Sequence, residues 1–329
     1  METFCSPVTK AYIHSYKPLR LYVYDYQNFP YGTLNVLVKA KVFDDARYSE
    51  GRHLFRLVEE PDDADFFVFP CDLNYFENRE EQIYEHLHFY DGNESRHVFF
   101  DHRDRPEPFP KDNSIRFKAS LHQAYVSDVV ICIPYVEPVD NFFWYLLARR
   151  SIKYQLSFVG SGTPFRERIL ESLKSIDPSY FKLRKHFFHG GYLQFEGARR
   201  MTEEETPSVK RALREEYINI SLQSKFVLAL RGYGLNSFRF FEALSLGVPP
   251  ILVSRDCALP YTNLVNYDDI CIRIDESDAD LVERIKEAVY STDEDTYLNM
   301  CRAGRLYYDG FFSSRNYLYL LYNALRRAD

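Results

Sequence analysis

Lys225–Ile251 reads KFVLALRGYGLNSFRFFEALSLGVPPI. Phe226–Leu230 is apolar throughout, the pattern of a strand buried on both faces. Arg231–Asn236 carries two glycines and reads as a loop. Ser237 then opens a helix as its N-cap, a glycine-proline break ends it, and a second apolar strand starts at Pro250. The unit is strand, loop, helix, strand. Its loop and helix N-terminus present free backbone N–H groups, a positive dipole end and the side chains Arg231, Ser237, Arg239 and Glu242. Gly232 and Gly234 let the backbone turn and approach a ligand closely. A nucleotide diphosphate suits this cradle: arginine neutralises the phosphates and a carboxylate accepts hydrogen bonds from ribose hydroxyls. Arg239 and Glu242 lie three apart on one helical face, so a plain surface pair on an ordinary βα unit is the alternative. The spacing fits neither a Walker loop nor GxGxxG, which weakens kinase and dehydrogenase readings.

The same grammar extends in both directions. Leu19–Tyr26, Ala64–Pro70, His97–Phe100 and Asp128–Pro134 read as strands, with helices expected over Ala46–Glu59 and Glu80–Phe89. After a connection at 136–153 the pattern restarts. Strands are expected at Tyr154–Val159, near Phe187, and at Phe226–Leu230, Pro250–Val253 and Ile270–Ile274. Helices are expected at Pro164–Ser175, Ala279–Tyr290, Asp295–Gly304 and Ser313–Arg327. Apolar strands alternating with helices imply parallel sheets covered on both faces, here two of them in tandem. The expected division is 1–150, 151–312 and a terminal helix at 313–329 that returns to the first domain. Ligands of such sheets sit at the strand C-terminal ends, hence in a cleft between the domains.

The chain has 329 residues, a net charge of −7 and no basic run, which argues against a nucleic-acid partner. It holds 27 tyrosines and 27 phenylalanines beside one tryptophan. That surplus fits grooves facing sugars, and equally fits aromatic cores. The six cysteines are scattered without zinc spacing and read as reduced thiols. No leader or span of about 20 apolar residues is evident, so a soluble cytoplasmic protein without stable membrane insertion is expected. Composition sets no oligomeric state.

Arg231–Pro250 follows R-G-x-G-x-x-S-x-R-x-x-E-A-L-x-x-G-x-x-P, which resembles the signature of the exostosin glycosyltransferase family. Ala64–Pro70 (ADFFVFP), Leu156–Ser161 (LSFVGS) and Asp256–Tyr261 (DCALPY) resemble further family elements in the same order. The resemblance implies an α/β GT-B fold, two Rossmann-like domains facing a central cleft. It also implies inverting transfer from a nucleotide sugar, usually UDP-linked, to a glycan hydroxyl, with no obligatory metal or other cofactor. Relatives use several sugars; UDP-xylose is the expected donor here. Relatives work in the secretory pathway behind an anchor, so a Golgi location is expected only if one was removed. Without an anchor, a viral or bacterial enzyme is expected. A non-catalytic glycan-binding protein, an epimerase and a phosphorylase are the alternatives.

Under this reading the donor site comprises Gly160, Ser161, Arg166, Arg168, Arg231, Gly232, Ser237, Arg239 and Glu242. Arginines and a helix dipole replace a cation at the departing diphosphate. Asp278-Ala279-Asp280 matches D-x-D in letters but begins a helix and reads as its cap. The general base is expected after a first-domain strand, with Asp101 first, His102 second and Asp72 also a candidate; Asp25 follows another such strand and equally suits a turn. His86 and His88 fall on different helix faces and make no metal pair. His189-Gly190-Gly191 reads as a turn. Asn141–Tyr145 suits either acceptor stacking or hinge packing. Tyr317, Tyr319 and Tyr322 read as packing residues.

Overall fold

The computed structural model describes residues 17–135, 151–184, 186–189, 192–195 and 205–328. In the first half β1 (Leu19–Val23), helix α1 (Val36–Lys41), β2 (Phe55–Leu57), β3 (Phe66–Asp72), β4 (His97–Asp101), β5 (Ile115–Lys118) and β6 (Val130–Cys132) follow one another. The strands form one sheet in the order β2-β1-β3-β4-β5-β6, and every neighbouring pair is parallel. Apart from Asp72, the last residue of β3, the two central strands β3 and β4 are buried at every position. That burial explains their unbroken apolar runs.

The second half contains β7 (Tyr154–Ser161), α2 (Pro164–Ser172), β8 (Ser179–Arg184), β9 (His186–His189), β10 (Tyr192–Phe195), α3 (Glu205–Leu222), β11 (Ser224–Leu230) and α4 (Phe238–Ser245). It continues with β12 (Pro250–Val253), β13 (Ile272–Ile274), α5 (Leu281–Ser291), α6 (Glu294–Tyr307) and α7 (Tyr317–Ala328). A second all-parallel sheet runs β13-β12-β11-β7-β8, and β9 and β10 pair separately as an antiparallel ribbon. Two parallel α/β sheets give the GT-B layout.

One apolar cluster joins the halves. It contains Phe117, Ile133 and Tyr135 from the first sheet and its edge together with Phe240, Phe241 and Phe312 from the second half. Each large ring buried there contributes roughly 2–3 kcal/mol by area. Helix α7 packs on the first sheet: Tyr322 meets Phe55 at 5.9 Å, and its hydroxyl donates to the Lys17 carbonyl at 2.9 Å. Tyr317 and Tyr322 are both buried. A Cβ at Gly51 would lie 3.1 Å from that of Leu318, and Gly51 has φ +80°, so this turn under α7 favours glycine.

Several elements differ from expectation. Ala46–Glu59 is not a helix. Gly51 turns the chain, short 3-10 turns flank it, and Phe55–Leu57 pairs with β1 as the edge strand. Pro70 lies inside β3, at the register shift between Val68 and Asp72 where its missing N–H costs no ladder bond. Strands β5 and β8 and helix α3 were not anticipated. β5 reads IRFK yet is buried at all four positions. The connection's residues 136–150, and with them Asn141–Tyr145, lie outside the described residues.

Candidate active site

The parallel register of β3 and β4 decides the first-domain chemistry. Asp72 ends β3, Asp101 ends β4, and His102 follows. Asp72 Oδ1 accepts the His102 backbone N–H at 3.3 Å and the Asn74 N–H at 3.0 Å, which fixes the carboxylate. Its other oxygen bonds His102 Nδ1. A carboxylate at Nδ1 places the neutral imidazole's proton there and leaves Nε2 as the acceptor. Among the described residues Nε2 has no partner, and the ring is partly open to solvent. Burial pulls the imidazole's pKa down, but the Asp72 charge and hydrogen bond outweigh it, so the net shift is upward from 6.5. Asp72 and His102 form an oriented dyad.

Asp101 has a different fate. It is fully buried and accepts from Arg103 N at 3.0 Å, Arg103 Nε at 2.8 Å, Arg103 Nη2 at 2.9 Å and Lys118 Nζ at 3.0 Å. Arg103 also reaches Glu80 at 2.8 Å, and Glu80 takes Arg105 at 3.0 Å. Burial raises the Asp101 carboxyl's proton affinity, yet the two cations more than offset this and hold it below the ordinary value. A carboxylate with both oxygens filled and no solvent access cannot receive a proton from an acceptor hydroxyl. Asp101, the first expectation for the base, is thus committed to a buried ion cluster.

The second-domain candidates gather where β7, β11 and α4 converge. Arg166, buried in the first turn of α2, donates to the carbonyls of Ser161, Leu230 and Arg231, each at 3.0 Å, and to Ser161 Oγ at 3.3 Å. It ties the ends of two strands together. Burial, then the nearby Arg239 and Arg231 charges, push its pKa down to about 10. Arg239 Nε donates to the Val159 carbonyl at 2.7 Å while Nη1 bonds Glu242, and its guanidinium lies 4.5 Å from the Tyr217 ring centre. A Cβ at Gly160 would come within 3.0 Å of the Phe158 ring and 3.6 Å of Arg239 Nε, so glycine keeps this corner open. Arg231 bonds Glu276 and the Gly232 carbonyl and lies 4.8 Å from the Phe165 ring centre. Ser237 stands at the N-cap position of α4 but makes no cap bond. Its buried hydroxyl has no partner among the described residues.

The loop Arg231–Asn236 is docked on the first domain. Leu235 N–H donates to Ser120 Oγ at 2.9 Å, and Asn236 Nδ2 to the Ala119 carbonyl at 3.3 Å. A Cβ at Gly234 would fall 2.4 Å from Ser120 Oγ and 2.8 Å from Asp104 Oδ1, so a side chain there would push the domains apart. Tyr135 stacks at 3.9 Å on Phe238, the first residue of α4, and lies 6.0 Å from the His102 ring. A file of rings thus runs from the dyad to the helix N-terminus that ends the glycine loop.

A profile of the Exostosin GT47 domain matches residues 15–289. The chain belongs to the exostosin GT47 family. A 101-residue stretch is 32% identical to the exostosin-1 homolog of Caenorhabditis elegans and covers 31% of this chain and 26% of that relative. Exostosin-1a of Danio rerio is 30% identical over 101 residues, 31% of this chain and 13% of its own length. The match thus spans about a quarter or less of these relatives. Among solved structures, a glycosyltransferase from Rickettsia africae aligns over 95% of this chain and 97% of its own, with 9% identity and a TM-score of 0.41. MurG of Acinetobacter baumannii aligns over 80% and 74%, with 10% identity and a TM-score of 0.40.

Other features of the chain lie apart from this centre. Arg168 is exposed on α2, 5.9 Å from the Phe165 ring centre, and does not join the strand ends. Asp25 caps a turn, accepting from Gln27 N at 3.0 Å and Asn28 Nδ2 at 3.1 Å. Asp280 occupies the N-cap position of α5 without a cap bond, and Asp278 pairs with Arg284. His86 packs edge-on against Phe29 at 5.3 Å. Gly190 and Gly191 lie outside the described residues. Cys71, Cys132, Cys257 and Cys271 are free thiols. No described helix is long and apolar enough to cross a membrane. Sequence reasoning missed Glu276, Tyr135 and Tyr217. Only Glu276 carried a signal, as a carboxylate just beyond the apolar run Ile270–Ile274.

Proposed function

We propose that this chain transfers a sugar from a UDP-sugar to a glycan hydroxyl with inversion. One juxtaposition supports the assignment: an oriented imidazole whose Nε2 has no partner among the described residues stands two rings away from the N-terminus of the motif helix. His102 Nε2 takes the proton of the acceptor hydroxyl as its oxygen bonds to the anomeric carbon. The carbon–oxygen bond to UDP breaks on the opposite face, and UDP departs with the electron pair. Asp72 stabilises the imidazolium that results. Arg231 and Arg239, the α4 N-terminus and the Ser237 hydroxyl receive the diphosphate charge in place of a cation. Glu242 accepts from the ribose, and Arg166 holds the loop in shape. Xylose is the proposed sugar, and the free thiols favour a cytoplasmic setting.

Calorimetric titration with UDP tests the donor site. Arg231→Ala and Arg239→Ala each weaken binding roughly ten- to hundredfold, the scale of one lost charge-assisted hydrogen bond. Unchanged affinity in folded variants would remove the nucleotide from this site. Release of UDP from a panel of xylose, glucose, galactose, glucuronate and N-acetylglucosamine donors tests the sugar. A donor other than UDP-xylose turning over fastest overturns that choice alone.

A further inference from the structure

The aromatic surplus has a concentrated use at the rim of the first sheet. Tyr26, Phe29 and Tyr31 lie on the loop after β1, Phe43 follows α1, and Tyr75 comes three residues after Asp72. Their rings form two contacting sets, Tyr75 with Phe29 and Tyr26 with Phe43 and Tyr31, and a backbone turn joins the sets. Tyr75 meets Phe29 edge-on at 5.7 Å, Phe29 N–H closes a turn on the Tyr26 carbonyl at 3.1 Å, Tyr26 meets Phe43 at 5.9 Å, and Phe43 meets Tyr31 at 5.2 Å. Tyr26, Phe29 and Tyr75 pack on the core below, whereas Tyr31 and Phe43 are 44% and 46% exposed. The outermost ring is fixed in place. The Tyr31 hydroxyl donates to Asp45 at 2.6 Å, and Arg47 grips the same carboxylate at 2.6 Å.

Backbone contacts place this ledge beside the dyad. Leu34 forms an isolated bridge with Cys71, next to Asp72, and Asn35 N–H donates to the Pro70 carbonyl at 2.9 Å. Residues 24–33 read YDYQNFPYGT, with rings and hydrogen-bonding side chains and no Val, Leu, Ile or Met. Asp25 and Asn28 are exposed on the same loop. Ring faces bordered by amides, hydroxyls and carboxylates suit a saccharide, whose C–H faces stack on aromatics while its hydroxyls hydrogen-bond. An apolar protein surface would want aliphatic side chains, and the pairing of Asp45 with Arg47 and of Asp44 with Arg52 leaves no excess of positive charge here for a polyanion.

We propose that Tyr26, Phe29, Tyr31, Phe43 and Tyr75 form an outer subsite for a neutral stretch of the acceptor saccharide, beyond the sugar unit that carries the reacting hydroxyl. The proposal rests on the glycosyl-transfer reading and adds that the substrate is an oligosaccharide held along its length. Rings already ordered by their neighbours lose little entropy on binding, so stacking on them yields net affinity.

The test is binding of the full chain, without donor, to arrayed β-linked oligosaccharides of xylose, glucose, galactose and N-acetylglucosamine, two to six units long. Affinity is expected to rise with length for at least one series. For that series, Tyr31→Ala combined with Phe43→Ala weakens binding of the longest member roughly tenfold. The exposed positions keep the variant folded by circular dichroism, and its UDP affinity stays at the wild-type value. If no series binds, or the double variant binds the longest member like wild type, the ledge is not a saccharide site. Failure of the transfer reading shows separately, as absent UDP binding or absent UDP release with any donor.

Discussion

Asp101 and His102 are adjacent in sequence and opposite in circumstance. Asp101 closes β4 with its side chain in the core, where three donors from two cations and the Arg103 backbone N–H consume both oxygens. His102 is the first residue past the strand and lies 6.0 Å from the Tyr135 ring, with one nitrogen committed to Asp72 and the other unengaged among the described residues. A saturated buried charge has no capacity left for a substrate. An oriented group with one vacancy does. Chemistry is expected where hydrogen-bonding capacity is held in place and left open, and stability where it is filled.

The largest expected effect falls on the open side of this comparison. His102→Ala lowers kcat by roughly 10²- to 10⁴-fold, the usual worth of a general base, while UDP affinity by calorimetry stays within about twofold. Asp72→Asn separates orientation from mere presence. In the native protein Asp72 raises the His102 pKa above 6.5, so the neutral base forms, and kcat/KM rises, as pH increases through that raised value. Removing the Asp72 charge lowers that pKa. The acid limb of the kcat/KM profile then moves to lower pH, and the plateau falls. An acid limb that stays in place would show that His102 is not the titrating base.

The filled side predicts the opposite split. Asp101→Ala leaves Lys118 buried without its counter-charge and Arg103 with Glu80 alone, and lowers unfolding free energy by about 3–5 kcal/mol, read by urea denaturation. Per folded molecule, kcat changes by no more than about threefold. Combining it with Lys118→Met removes one orphaned cation and restores part of the stability. A folded Asp101→Ala protein with normal stability and no turnover would break the comparison, since the carboxylate would then act in the reaction.

Sequence alone made parts of this contrast legible. Phe226–Leu230 and His97–Phe100 were readable because strands buried on both faces admit almost no polar residues. β5 escaped notice because the polar letters of IRFK hide Lys118 on Asp101 and Arg116 on the carbonyls of Pro110 and Asp112. Ala46–Glu59 misled because Leu54, Phe55 and Val58 mimic helical spacing, while Gly51 at positive φ and the partner strand β1 were not visible in one dimension. Asp72 and His102 were separately recognisable as residues at strand ends. Their pairing depends on β3 lying beside β4, and sheet order is not written in local pattern. Glu276 reaches Arg231 by the same route, from the end of β13 two strands away from β11.

The smallest effect carries the sharpest form of the argument. Ser237 resembles Asp101 in burial and His102 in vacancy: its hydroxyl is enclosed at the start of α4 yet has no partner among the described residues. An unfilled buried hydroxyl costs stability, so Ser237→Ala is expected to leave unfolding free energy unchanged or raise it by up to about 1 kcal/mol. The same substitution removes a donor from the proposed diphosphate site and is expected to weaken UDP binding several-fold. Opposite signs in urea denaturation and calorimetry would mark the hydroxyl as held open for a ligand. If Ser237→Ala lowers stability by 1 kcal/mol or more and leaves UDP affinity unchanged, Ser237 acts as an ordinary helix cap, and vacancy at this position says nothing about the donor.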